Sequence, residues 1–201
     1  MDTNRKFHTL DITLVAMFAA LMAIGANITS WAPFLQVANV PLSMQPFFAI
    51  LAGLLLGSRL GAVSMFVYML IGMAGAPVFA GFSGGAAIIF KSTGGFILSY
   101  IVAAYVVGKM VEAKKNPQLP TFMSASFVGI FLIYFIGTNY MYLAVNYWLS
   151  APMSYGTAWK VMMWFAVKDI AFTIAGGFLA LRIYRSLQHS AYFAQRKKHA
   201  A

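Results

Sequence analysis

The sequence predicts an all-α integral membrane protein with six transmembrane helices and both termini cytoplasmic. Three observations carry that prediction. Of the 201 residues, 61% are hydrophobic and only 9% charged, against about 25% charged in an ordinary soluble domain. The chain lacks the polar surface to face water all round. The apolar residues fall into six runs, most of them near the 20 or so residues that a helix needs to cross the hydrocarbon core. Finally, the 14 Lys and Arg sit mostly in short patches between those runs. The net charge of +10 therefore reads as membrane orientation, and no nucleic-acid partner is implied.

The first run, 12–28, follows MDTNRKFH, a start that resembles a signal peptide. Asp11 at its mouth favours a retained helix. Ala16-x-x-x-Ala20 and Ala19-x-x-x-Ala23 put small residues one turn apart, which permits close approach of another helix or simple internal packing. The second run, 42–56, is short: about 15 residues make a helix about 22 Å long, either a span or a re-entrant segment. The remaining runs are 60–78, 93–111, 122–149 and 161–183.

The basic residues decide the second run. With six spans, Arg5, Lys6, Arg59, Lys109, Lys114, Lys115, Arg182, Arg185, Arg196, Lys197 and Lys198 share one side, leaving Lys91, Lys160 and Lys168 as exceptions. That is the distribution expected for a cytoplasmic face. A re-entrant second segment would put Lys114 and Lys115 opposite the N-terminal tail. The linker 114–120 carries two prolines that break the helical pattern. The polar, basic tail from Leu187 either lies on anionic lipid headgroups or is disordered. Residues 1–201 read as a single transmembrane substrate-binding domain.

The sixth run carries Lys168 beside Asp169. Entered from the outside at Lys160, the run places this pair about 12 Å along the helix axis, in the outer half of the membrane. Each charge facing lipid there costs on the order of 2.5–3.5 kcal/mol, so both should face a bundle interior or a water-filled cavity. Adjacent helical residues point about 100° apart, so each is expected to need a partner on another helix or a ligand. Acidic partners for Lys168 are scarce, because Asp2, Asp11 and Glu112 fall on the cytoplasmic side.

Lys91, at the start of the fourth run, is the other outer-side lysine near a span. Two lysines and one aspartate make a pocket of net charge +1, suited to a small molecule with one anionic group and N–H donors for the carboxylate. The connections VPLSMQP at 40–46 and APVFAGFSGGAAIIFKSTGG at 76–95 are rich in Gly and Pro and nearly uncharged. Irregular backbone at membrane depth belongs in protein or along a cavity, and Gly84 and Gly85 permit close approach to a ligand. Trp164, four residues before Lys168, shares its helix face, as a pocket wall or as packing.

The stretch VPLSMQPFFAILAGLLLGSRLGAVSMFVYMLIGMAGAPVFAGFSGG, followed by STGGF, resembles the BioY family, the biotin-binding S components of energy-coupling-factor (ECF) vitamin transporters. The match is dense over 40–100, weaker in the first helix and loose from 110 onward. The resemblance implies six helices, cytoplasmic termini and an outward-facing vitamin pocket. Through the family's P-x-T-x-Q and Tyr-containing motifs it adds Gln45 and Tyr68 to the candidate site. It also implies docking of the first helix, through Ala16, Ala20 and Ala23, on a transmembrane coupling subunit that works with two ABC ATPases. Three positions depart from the family pattern: Ser43 stands for Thr, Ser92 for Pro, and Phe172 where a lysine is usual. Lys168 lies one turn from position 172 on the same face.

Capture of biotin at the membrane of a prokaryotic cell is the leading functional reading. Capture of another vitamin such as thiamine is the alternative, although a cationic ligand would require one lysine to point away. An intramembrane enzyme would need a nucleophile with a base, or a metal. The chain has no cysteine, and His8, His189 and His199 all fall in tails. No cofactor or metal is expected.

Overall fold

The computed structural model describes residues 8–28, 36–37, 40–41 and 43–188. Trp31, the basic tail from 189 onward and the basic residues before His8 lie outside the described residues. Five α-helices carry the fold: α1 (Thr9–Asn27), α2 (Gln45–Met73), α3 (Gly94–Glu112), α4 (Leu119–Tyr147) and α5 (Tyr155–Gln188). All five are long and apolar enough to cross a membrane, and the chain is a multi-pass membrane protein. A two-residue antiparallel pair, β1 (Gln36–Val37) with β2 (Val40–Pro41), precedes α2, and a 3-10 turn at Ala86–Phe90 precedes α3. Helices dominate because a backbone in hydrocarbon must satisfy its own N–H and C=O groups. Pro46 and Pro120 sit in the first turns of α2 and α4, where no intrahelical donor is lost.

The helix count differs from the six expected, and the reason lies inside α2. At Gly57 the backbone turns to φ 79°, ψ −178°, a conformation that side chains exclude. Gly61 packs directly on the Gly53 backbone, and Gln45 Nε2 donates to the Tyr68 hydroxyl at 2.9 Å. Twenty-three residues of straight helix would hold those two about 34 Å apart. The chain therefore folds back at Gly57, and the halves of α2 lie side by side. Glu112, at the end of α3, caps the second half by accepting from Ser58 N–H at 2.8 Å and Ser58 Oγ at 2.7 Å. Gly108 makes this possible: a Cβ there would lie 2.1 Å from Ser58 N.

These contacts define two ends of the bundle. At one end the Gly57 turn meets Glu112, and Phe122 at the start of α4 meets Tyr184 near the end of α5, ring centroids 5.3 Å apart. Arg59, Lys109, Lys114, Lys115, Arg182 and Arg185 belong to this end by their positions on the helices. At the other end Asn27 meets the 78–82 segment, and Tyr140 of α4 and Trp148 just after it donate to the Ile89 and Phe90 carbonyls at 2.6 Å each. Phe131, Val167 and other large apolar side chains face outward, as they do toward lipid. Along α1, Ala16 and Ala20 are exposed, Ala23 is half-buried and Ala19 is buried. The two small-residue pairs thus serve different faces.

Candidate ligand-binding site

A cavity of about 150 Å³ opens at the second of these ends. Its walls come from the start of α2 (Ser43, Gln45, Pro46), the 79–93 connection (Phe79, Ala80, Ser83, Ile88, Ser92, Thr93), α3 (Phe96, Ile97, Tyr100), α4 (Tyr134, Met141) and α5 (Met162, Phe165, Lys168, Asp169). It is a mainly apolar pocket with a few polar groups, the composition usual for small-molecule sites.

Asp169 is only 4% exposed and is held from two sides. Tyr134, one layer across on α4, donates its hydroxyl to Oδ2 at 2.7 Å. Lys168 Nζ lies 2.7 Å from Oδ1. Oδ1 is buried and meets the Lys168 ammonium as an ion pair, with no further hydrogen bond. A carboxylate oxygen can accept twice, so Oδ1 keeps accepting capacity beyond the lysine, and Asp169 lies in the wall of a cavity.

The ion pair corrects the expectation that these neighbours need separate partners. Their Cβ directions do diverge, but the four-carbon lysine stem is flexible and curls back to the carboxylate. Lys168 Nζ also donates to the Ser43 carbonyl at the start of α2, and it stands 5.8 Å from the centroid of the Phe172 ring, within cation–π range. The amine thus reaches over position 172 from one turn farther out.

The other sequence-stated candidates divide. Gln45 lines the cavity, and Tyr68 stands behind it, fully buried, accepting from Gln45 and donating to the Val78 carbonyl at 3.0 Å. Gly84 and Gly85 do not line the cavity. Gly84 packs on the Ala76 backbone and Gly85 donates its N–H to the Gly72 carbonyl at 2.7 Å, so both shape the connection. Lys91 is exposed and outside the lining, although Ser92 and Thr93 after it are part of the wall. Trp164 is 72% exposed and directed away. Tyr134 and Tyr100 were not singled out in the sequence, because tyrosines in apolar helices carry no signal distinct from packing. Among the described residues no group of three His, Cys, Asp or Glu could hold a metal.

The model of the BioY family matches residues 1–189. The chain belongs to the BioY family. Among its relatives, "Putative biotin transporter BioYB" of Bacillus subtilis (strain 168) is 54% identical over 190 residues, covering 94% of this chain and 95% of the relative. "Probable biotin transporter BioY" of Lysinibacillus sphaericus is 36% identical, with 90% of each chain covered. The fold of this BioY-family chain is also that of a solved structure, the S-component for biotin from an ECF-type ABC transporter. The two share a TM-score of 0.66 at 19% identity, over 92% of this chain and 95% of the other. These BioY relatives are named as transporters, not enzymes.

Proposed function

We propose that this chain is the biotin-capturing S component of an ECF transporter in a prokaryotic plasma membrane. The observation that carries the reading is the buried Lys168–Asp169 ion pair in the wall of a small apolar cavity, where Asp169 Oδ1 keeps a lone pair for a ligand donor. The ureido ring of biotin supplies N–H donors for that oxygen, and burial makes such a charge-assisted bond strong. Lys168 Nζ, beside it, is a donor for the ureido carbonyl or for the ligand carboxylate. The apolar walls, Phe79, Phe96, Ile97 and Phe165, suit the bicyclic ring system. Relatives named as biotin transporters support the same substrate.

Six spans with both termini cytoplasmic complete the proposal. The reversal at Gly57 supports counting α2 as two crossings, and the gathering of basic residues at the Gly57–Glu112 end supports placing that end inside. The cavity then opens outward. The exposed Ala16–Ala20 strip of α1, with Ala23 at its edge, suits close docking of a transmembrane coupling subunit, with two ABC ATPases supplying the energy. Calorimetric titration of the purified chain with biotin, thiamine and riboflavin tests the substrate. One-to-one binding of biotin alone is expected, and binding of thiamine in its place would overturn the assignment.

A further inference from the structure

Two walls of the cavity are anchored to the last turn of α1, which does not itself line it. The Gly25 carbonyl accepts from Met44 N–H at 2.8 Å, fixing the start of α2 and with it Ser43 and Gln45. The buried Asn27 carboxamide holds another wall. Its Oδ1 accepts from Phe82 N–H at 2.7 Å, and its Nδ2 donates to the Ala23 and Val78 carbonyls at 3.0 and 3.4 Å. The opposite amide orientation would set an oxygen against two carbonyls, so the donors and acceptors fix the assignment.

Phe82 has φ 51°, a left-handed conformation that a bulky residue adopts only under constraint. It closes a turn in which Phe79 and Ser83 exchange N–H···O bonds of 3.0 and 3.2 Å, and that turn brings Phe79, Ala80 and Ser83 to the cavity. The Val78 carbonyl also accepts from Tyr68, which accepts from Gln45. Hydrogen bonds thus run from α1 through Asn27, Val78 and Tyr68 back to the cavity wall.

We infer that Asn27 is a positioning residue through which α1 sets the shape of the ligand cavity, by holding the left-handed Phe82 backbone and the Phe79–Ser83 turn. Displacement of α1 would loosen both walls together. The Ala16–Ala20 strip lies about 10–17 Å away on the same helix, so a partner that moves α1 there would act on the cavity. The wall itself rests on geometry; the ligand used to probe it rests on the biotin reading above.

Asn27→Ser tests the inference, because serine satisfies itself on the Ala23 carbonyl one turn back but is too short to reach Phe82. Biotin affinity and amide exchange across residues 79–83 are measured on purified chain, with and without Phe82→Gly, since glycine adopts positive φ freely. The expected result is affinity weakened about tenfold, the scale of one lost buried hydrogen bond, faster exchange at 79–83, and partial recovery with Phe82→Gly. Unchanged exchange, or an affinity loss that Phe82→Gly does not relieve, overturns the role. If the wild-type chain binds no biotin, the substrate reading falls and the exchange measurement still decides Asn27.

Discussion

The hydroxyl of Tyr134 donates to Asp169 Oδ2 at 2.7 Å, leaving Oδ1 to the Lys168 ammonium and the cavity. One helix thereby aims the acceptor that another helix carries. Tyr134→Phe removes the aiming bond while keeping the ring. Biotin affinity should fall about tenfold, near the 1.4 kcal/mol of one buried hydrogen bond, in a titration on folded protein.

Asp169→Asn and Lys168→Met should each weaken biotin binding by at least about 2 kcal/mol, the scale for a buried charge-assisted bond. Stability should behave differently. Each single change strands a charge at membrane depth, whereas the double change removes both. In detergent, the double variant should melt above Asp169→Asn; melting below it would mean the pair stabilises the fold directly.

The turn at Gly57 predicts a ranking. Gly108→Ala drives a Cβ to 2.1 Å from Ser58 N and should be the most destabilising. Gly57→Ala forces a side chain onto φ 79°, at a cost of about 1–3 kcal/mol. Glu112→Ala removes a cap that faces solvent, and about 1 kcal/mol or less is expected. Thermal melts of the three variants check the order.

Topology is testable because the chain has no cysteine. His8→Cys and Asn116→Cys should react with a membrane-impermeant maleimide from the same face, and Ala151→Cys from the other. If α2 crossed only once, positions 8 and 116 would react from opposite faces.

Trp164→Leu should leave biotin affinity within about twofold, since the indole is 72% exposed and such exposed substitutions rarely matter. A loss beyond tenfold would place Trp164 at the ligand after all.

The apolar helices were legible because a bilayer admits few alternatives: apolar runs and their lengths are properties of the linear chain. Even the Gly57 reversal left a trace, as the break between the runs ending at 56 and starting at 60. Lys168 and Asp169 stood out because charge in an apolar run has few innocent explanations. Trp164 misled for a geometric reason. Four helical residues turn 400°, so a residue one turn away is rotated about 40°, enough at the edge of a cavity to face outward.

What the sequence by itself determined was the medium, the apolar helices and the candidacy of Asp169, Lys168 and Gln45, which the structure brings to one cavity. Composition, periodicity and motif are local quantities, and they survive without knowledge of neighbours. The tertiary structure alone decided that Lys168 folds back on Asp169 and the Ser43 carbonyl, that Tyr134 orients the carboxylate, and that Asn27 holds the Phe82 turn. Each of these depends on a hydrogen bond between residues on different segments, or on a side-chain rotation. Such bonds form only where packing brings a particular donor to a particular acceptor, and no pattern along the chain encodes that distance.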